Sequence, residues 1–415
     1  MMYPQQTTDG REVEVIDVGR HNSDAGPDFF NAKIKIGGML WAGNVEIHIF
    51  SSDWQKHNHH QDPAYDNIIL HIVKKADKKI FNTRGEEIPQ CELHYPNIED
   101  KLEHILVDRL QLCNQQLQQH PELLNDGWKE YLLHDRLERK TEVIERLLHI
   151  TQNHWEEAFY ITLAHNFGFH TNGLPFEMTA TQTPLAYLNK HKNSLFQLES
   201  ILFGQSGLLN ETTAIDNQSL LWLREYRFLQ KKFCLTPIDG VQWKMLRMRP
   251  QNFPHVRLAQ FARLMNKSEF LFSKIIDTDS LTDLRDLFEV TASEYWTTHY
   301  RFGAESEAQE KTLGKSAIEL LLINSVIPYK YALARAQNDP QKMEEAIRLL
   351  RLLPAEHNHI TARWKALGMR VSNAADSQIF IHLYQNYCTE NRCTQCDVGY
   401  QIFTLPADRQ GSKNN

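Results

Sequence analysis

The 415-residue chain is poor in cysteine, with six residues in all, too few for the disulfide framework that staples small secreted domains. It lacks positive charge: 45 Lys and Arg stand against 52 Asp and Glu, a formal net of -7. That balance argues against a protein that coats nucleic acid non-specifically. Apolar runs are short, as in Ile68-Ile69-Leu70 or Leu320-Leu321-Leu322-Ile323, well under the roughly 20 residues that cross a bilayer, so no membrane span is expected. The polar start lacks the basic-then-apolar pattern of a secretory leader, and a reducing, cytoplasmic location is the expectation. No period of about 20 to 50 residues signals a solenoid. What remains is an ordinary globular composition, 41% apolar, 23% charged and 10% aromatic, with chain enough for two to three domains at about 150 residues each.

The acidic excess sits at one end: residues 1–100 hold ten Lys/Arg against sixteen Asp/Glu. From 11 to about 96 the pattern alternates with period two, at Val13 and Val15, at Ala32, Ile34 and Ile36, and at Val45, Ile47 and Ile49, before the run 68–73. This predicts a β-rich domain over 1–97. Residues 33–36, the Gly37-Gly38 pair and residues 40–50 read as a hairpin, because paired glycines tolerate the positive φ of a two-residue turn. Glu46 and His48, two apart on the second strand, share one face.

Beyond 97 the period turns helical. Trp155, Phe159, Leu163 and Phe167 recur every fourth residue with Gly168 as a stop, and 135–150 carries an apolar stripe. Similar segments at 194–202, 219–232, 257–265, 315–324, 343–352 and 377–387 predict an α-helical region over 98–385. A cysteine-containing segment (386–406) and a polar tail (407–415) follow. The fold class expected is α+β, a β-rich N-terminal domain followed by a large, mostly α-helical region.

Four patterns point to chemistry. Pro27-Asp28 at the start of one strand and Glu46-Ile47-His48 in the next can gather two carboxylates at one end of a hairpin. Hard oxygen ligands of that kind suit Mg²⁺ or Mn²⁺, which would hold a phosphate and lower the pKa of an attacking water. The alternative is Asp28 capping a turn and Glu46 exposed on an edge strand. Second, His48, His57, His59, His60 and His71 crowd into one short stretch. With Asp53 and Asp62 they resemble the ligand supply of a Zn²⁺ or Fe²⁺ site, His57 and His59 sharing a face if the segment is extended. The alternative is a polar loop stacked on Trp54 and Tyr65. Third, Cys388, Cys393 and Cys396 put half the cysteines within nine residues. They suit Zn²⁺ or an iron–sulfur cluster, with a fourth ligand open among Cys91, Cys234, His382 or a distant group; small buried hydrophobes are the alternative. Fourth, residues 221–260 carry eight cations against Glu225 and Asp239. Lys244, Arg247, Arg249 and Arg257, interleaved with Trp243 and Phe253, could grip a DNA or RNA backbone; a solvated face is the alternative.

Asp28, Glu46 and His48 together resemble the PD-(D/E)xK phosphodiesterase superfamily, whose members include restriction and repair nucleases. Asp28 matches its first carboxylate, Glu46 its second, and His48 stands where that superfamily carries Lys. The resemblance implies a restriction-endonuclease-like domain and a metal-dependent phosphodiesterase acting on nucleic acid, with Asp28, Glu46 and His48 catalytic and Asp28 and Glu46 holding Mg²⁺ or Mn²⁺. Some members carry a cysteine-ligated cluster beside the catalytic domain. Two other functions stay open: a Zn/Fe-dependent enzyme built on the histidine cluster, and a non-catalytic helical scaffold with unknown protein partners.

The chain also resembles, nearly end to end, an uncharacterised bacterial family, a domain of unknown function. Its hallmarks are Asp24-Ala25-Gly26-Pro27-Asp28-Phe29, Gly43-Asn44-Val45-Glu46-Ile47-His48, Ser51-Ser52-Asp53-Trp54, Arg247-Met248-Arg249-Pro250-Gln251-Asn252-Phe253-Pro254, Tyr295-Trp296-Thr297-Thr298-His299-Tyr300 and the terminal cysteines. That resemblance brings no activity; members of the family often begin with an additional helix before the segment matching Thr8-Asp9-Gly10, and on that comparison this chain is expected to lack its first helix.

Overall fold

Gly37 and Gly38 both take positive φ, 58° and 83°, and turn the chain between β4 (Phe29–Ile36) and β5 (Met39–Phe50) as the glycine pair predicts. The computed structural model describes residues 5–22, 26–93, 113–246, 248–267 and 270–404; Asp24, Ala25, Arg247 and the tail 407–415 lie outside the described residues. The chain divides into two units, Met1–Asp100 and Lys101–Asn415, an N-terminal β-sheet unit and a mostly helical one. The α+β class expected from the two periodicities is the class observed.

In the first unit, β1 (Gln5–Gln6), β2 (Glu12–Asp17), β4 and β5 form an antiparallel run. β6 (Ile68–Lys75) and β7 (Gln90–Glu92) continue the sheet in parallel, and β3 (Arg20–His21) pairs with β4. A parallel pair needs a crossover. Here it consists of the short helix Asp53–Lys56 and two 3₁₀ turns, His59–Gln61 and Pro63–Tyr65. Val13, Ala32, Ile34, Ile36, Val45, Ile69, Leu70 and Cys91 form one core of this unit, and Trp54, Tyr65, Ile68, Ile80 and Ile88 form a second. Gly43 lets β5 approach the connection closely, since a Cβ there would stand 2.4 Å from Ile69 Cγ2 and 2.7 Å from the Asn67 carbonyl.

The second unit packs its helices around one continuous apolar core. Trp155–Phe167 is a helix ending at Gly168, where its periodicity and its glycine placed it. The helix read at 135–150 begins earlier and runs Asp126–Ile150, capped by Asn125. The segment at 315–324 extends through Lys315–Ala336, 22 residues of mean hydropathy 1.2, long and apolar enough to cross a membrane, with 72% of that window buried. Counting uninterrupted apolar runs overlooked it because Ser325, Pro328 and Lys330 break the run.

Candidate metal centre

β5 inverts the usual binary pattern at its C-terminal half. The alternation of Val45, Ile47 and Ile49 predicts an apolar face turned inward, yet Ile47 and Ile49 are 43% and 61% exposed while Glu46 is 5% exposed and His48 is half-buried. β5 lies between β4 and β6, so Glu46 is not the exposed edge-strand carboxylate that was the alternative reading. Polar side chains turned inward on an interior strand break a local folding rule, and such breaks gather at functional sites.

Two carboxylates do meet at this end of the hairpin. The register pairs Phe29 with Val45, and an irregularity follows between Phe29 and Ala32, where Asn31 has φ 56° and donates its N–H to Asn44 Oδ1 at 3.2 Å. Such a bulge re-aims neighbouring side chains. The Asp28 N–H donates to Glu46 Oε2 at 3.1 Å, and the Ile47 N–H donates to Asp28 Oδ2 at 2.8 Å. Each carboxylate is held by backbone beside the other.

The histidines join the same site rather than forming a separate one. The segment 53–62 is not extended: Asn58 takes a left-handed conformation, φ 62°, between the helix and the first 3₁₀ turn. That reversal turns His57 and His59 back over β5. Ligand atoms of His48, His57 and His59 all lie within 4.8 Å of one another. His57 Nδ1 is 3.1 Å from His48 Nε2, and Glu46 Oε1 is 3.4 Å from His48 Nε2 and 3.5 Å from His59 Nε2. Bonds of about 2.0–2.1 Å around a tetrahedral ion set donor–donor edges of roughly 3.3 Å, and these three distances lie close to it. His59 Nε2 is buried without a hydrogen-bond partner, and an orphaned polar atom of this kind calls for an explanation.

Behind these groups stands His71, fully buried on β6 opposite Glu46 in the parallel register. Its Nε2 is 2.9 Å from His48 Nδ1, so it orients the His48 ring and leaves Nε2 facing the site, as outer partners of metal-bound imidazoles do. The buried Trp54 meets His59 and His71 edge-on at 5.3 and 5.5 Å between centroids, and Tyr65 stacks on His59 at 3.8 Å.

Burial sets the protonation. Desolvation, and then the Asp28 charge, push the Glu46 carboxyl up to about 8. Burial and then neighbouring imidazoles bring His59 down to about 4 and His71 to about 3. His48 is lowered by burial first and His57 second. Near neutral pH His48, His59 and His71 are therefore neutral, the form of imidazole that ligates metal, beside a carboxyl short of a positive partner.

Several expected ligands go elsewhere. Asp53 accepts from the Phe50 N–H at 3.0 Å and from Lys56 Nζ at 2.7 Å, and Asp62 caps the second 3₁₀ turn through the Ala64 N–H at 2.9 Å; both are turn residues because their short side chains reach backbone donors. His60 pairs with Gln61. In the helical unit Trp243 is buried, its indole donating to the Ser206 carbonyl at 2.7 Å, so it is no platform for stacking bases. Arg257 donates to Gln260 and Asn252 and lies 4.4 Å over the Phe169 ring. Lys244 ties its backbone to Asn172, while Arg249 is exposed. Cys388, Cys393 and Cys396 lie at the far end of this unit, and the thiol facing them that the sequence did not single out is Cys113. Of the named candidates for a fourth ligand, Cys91 belongs to the sheet core, Cys234 is exposed, and His382 is bound to Asp135 at 2.7 Å.

A family model described as "Protein of unknown function (DUF2851)" matches residues 3–359. The chain belongs to DUF2851. No curated protein and no solved structure matches it. For this DUF2851 chain the activity must therefore be argued from the site: His48, His57 and His59 gathered together, Glu46 beside two of them, Asp28 holding Glu46 and His71 holding His48.

Proposed function

We propose that the N-terminal unit is a metal-dependent hydrolase with phosphodiesters, and so DNA or RNA, as its substrate class. His48, His57 and His59 hold one divalent ion, and Glu46 completes or borders its coordination. Three imidazoles favour Zn²⁺ or Fe²⁺ over Mg²⁺, which prefers oxygen. The carboxylate pair and the histidine cluster, two separate readings of the sequence, are thereby one centre. The observation that carries this reading is the gathering of the His48, His57 and His59 ligand atoms within 4.8 Å of one another, with Glu46 Oε1 3.4 and 3.5 Å from two of them and His59 Nε2 left without a hydrogen-bond partner. An ion held by His48, His57 and His59 would supply a bound water of pKa about 7 and a charge to polarise a phosphoryl oxygen. Glu46, backed by Asp28, would accept the proton, and His71 would hold His48 in the tautomer that ligates.

The test is hydrolysis of bis(p-nitrophenyl) phosphate and of single- and double-stranded DNA and RNA by protein loaded with Zn²⁺, Fe²⁺, Mn²⁺ or Mg²⁺. We expect turnover with a transition metal, falling at least about 100-fold in Glu46→Gln and His57→Ala. Metal-loaded protein that cleaves none of these substrates, or a Glu46→Gln variant as active as wild type, overturns the reading.

A further inference from the structure

We propose that Cys113, Cys388, Cys393 and Cys396 ligate an iron–sulfur cluster in the helical unit. Four of the six cysteines converge there from two distant stretches of chain. Residues 113–119 are helical, and Cys113 and Cys388 both pack against the core in which Cys396 is buried. Cys388 ends the π-helical turn Tyr384–Cys388, Cys393 opens the 3₁₀ turn Cys393–Gln395, and Cys396 immediately precedes the helix Asp397–Thr404. That last helix is tied back to the segment after Cys113. Asn125 Nδ2 donates to Asp397 Oδ2 at 2.9 Å across 272 residues, and Gln401 Nε2 donates to the Leu123 carbonyl at 3.3 Å.

The surroundings suit bound thiolates and not free ones. Burial first, and then the facing thiols of Cys396 and Cys393, push Cys113 up to about 12. Cys388 is likewise pushed up to about 12, by burial and then by Cys113, Cys396 and Cys393. Sulfurs that face one another from two distant stretches of chain are a donor set that a cationic cofactor binds as thiolates. The Val398 and Gly399 N–H groups point at the Cys396 sulfur, an arrangement that tunes metal-bound sulfur. A Cβ on Gly399 would stand 2.2 Å from the Cys393 carbonyl, so glycine lets this turn close. Arg363 faces Cys113 and Cys388 as a countercharge.

Spacing decides between one ion and a cluster. A single Zn²⁺ with bonds of about 2.3 Å draws four sulfurs to roughly 3.8 Å of one another. Among the described residues, the group of three or more ligand atoms gathered within 4.8 Å is the histidine trio, not these thiols. Along the sequence, Cys388-x4-Cys393-x2-Cys396 with one distant thiol has the C-x4-C-x2-C…C spacing that holds an iron–sulfur core.

The experiment is anaerobic purification of the full chain, with iron, acid-labile sulfide and zinc measured per chain alongside visible absorption. Acid-labile sulfide with at least as much iron is expected, with visible charge-transfer absorption, and the sulfide and the absorption are lost in Cys113→Ser and Cys393→Ser. Cys234→Ser retains them. Zinc at one per chain without sulfide, no metal at this site, or a cluster that survives Cys113→Ser overturns the proposal. If Cys113→Ser does not fold, the wild-type iron-to-sulfide ratio and the Cys393→Ser variant still decide. Because the histidine centre shares no residue with these thiols, failure of one assignment leaves the other standing.

Discussion

Metal binding at the histidine–glutamate centre must expel a proton, and the structure says which one. Burial and the Asp28 charge push the Glu46 carboxyl up to about 8, which corresponds to a proton on about 0.9 of the chains at pH 7, about 0.5 at pH 8 and about 0.1 at pH 9. His59, brought down to about 4, is already neutral at these pH values and releases almost none. A divalent cation favours the carboxylate and drives the proton off. The sign follows from linkage: a group protonated in the free state and ionised in the bound state makes affinity rise with pH below its pKa. Calorimetric titration of metal-free protein with Zn²⁺, in buffers of different ionisation enthalpy, reads the proton count directly. Subtracting the count for Glu46→Gln cancels protons lost from bound water or from the cysteines. The difference should be about 0.9 at pH 7 and decline to about 0.1 at pH 9. Asp28→Asn should move the whole curve to lower pH, because the Asp28 charge raises Glu46. A difference near zero at pH 7, or one that does not fall with pH, refutes the assignment of Glu46.

Other outcomes follow from the same geometry. His71→Ala, which removes the group behind His48 Nδ1, should weaken metal binding about 10- to 100-fold without abolishing it, as measured by competition with a chelating dye. Asp53→Asn and Asp62→Asn should leave metal affinity unchanged within about twofold, because Asp53 is spent on the Phe50 N–H and Lys56 and Asp62 caps a 3₁₀ turn, whose loss should cost on the order of 1 kcal/mol in denaturant unfolding. Trp54→Ala, emptying a site with no exposure, should destabilise the N-terminal unit by about 3–5 kcal/mol, seen as an earlier unfolding transition of that unit in thermal scans.

Much of the fold was legible because its signals are local. The Gly37-Gly38 turn, the period-two strands and the Trp155–Phe167 helix each rest on residues a few positions apart. The meeting of Asp28 with Glu46 was legible for the same reason, as a hairpin brings its strand ends together. The histidines were visible as a cluster, but not as part of that pair. Their convergence depends on a left-handed residue at Asn58 and on parallel pairing of β5 with β6, neither of which period or propensity encodes. His71 looked like one more histidine, although a polar residue amid Ile68-Ile69-Leu70 and Ile72-Val73 was the available signal. Cys113 was invisible because its partners, Cys388, Cys393 and Cys396, are far from it in sequence. The apolar residues of β5 misled, since Ile47 and Ile49 face outward so that Glu46 and His48 can face in.

The most direct test of the central claim is an anomalous difference map at the zinc edge from crystals of zinc-loaded protein. A peak about 2.0–2.2 Å from ring nitrogens of His48, His57 and His59, with the Glu46 carboxylate beside it, is the predicted result. A saturated crystal with no peak there, or with those imidazoles still bonded to one another around an empty centre, would contradict it.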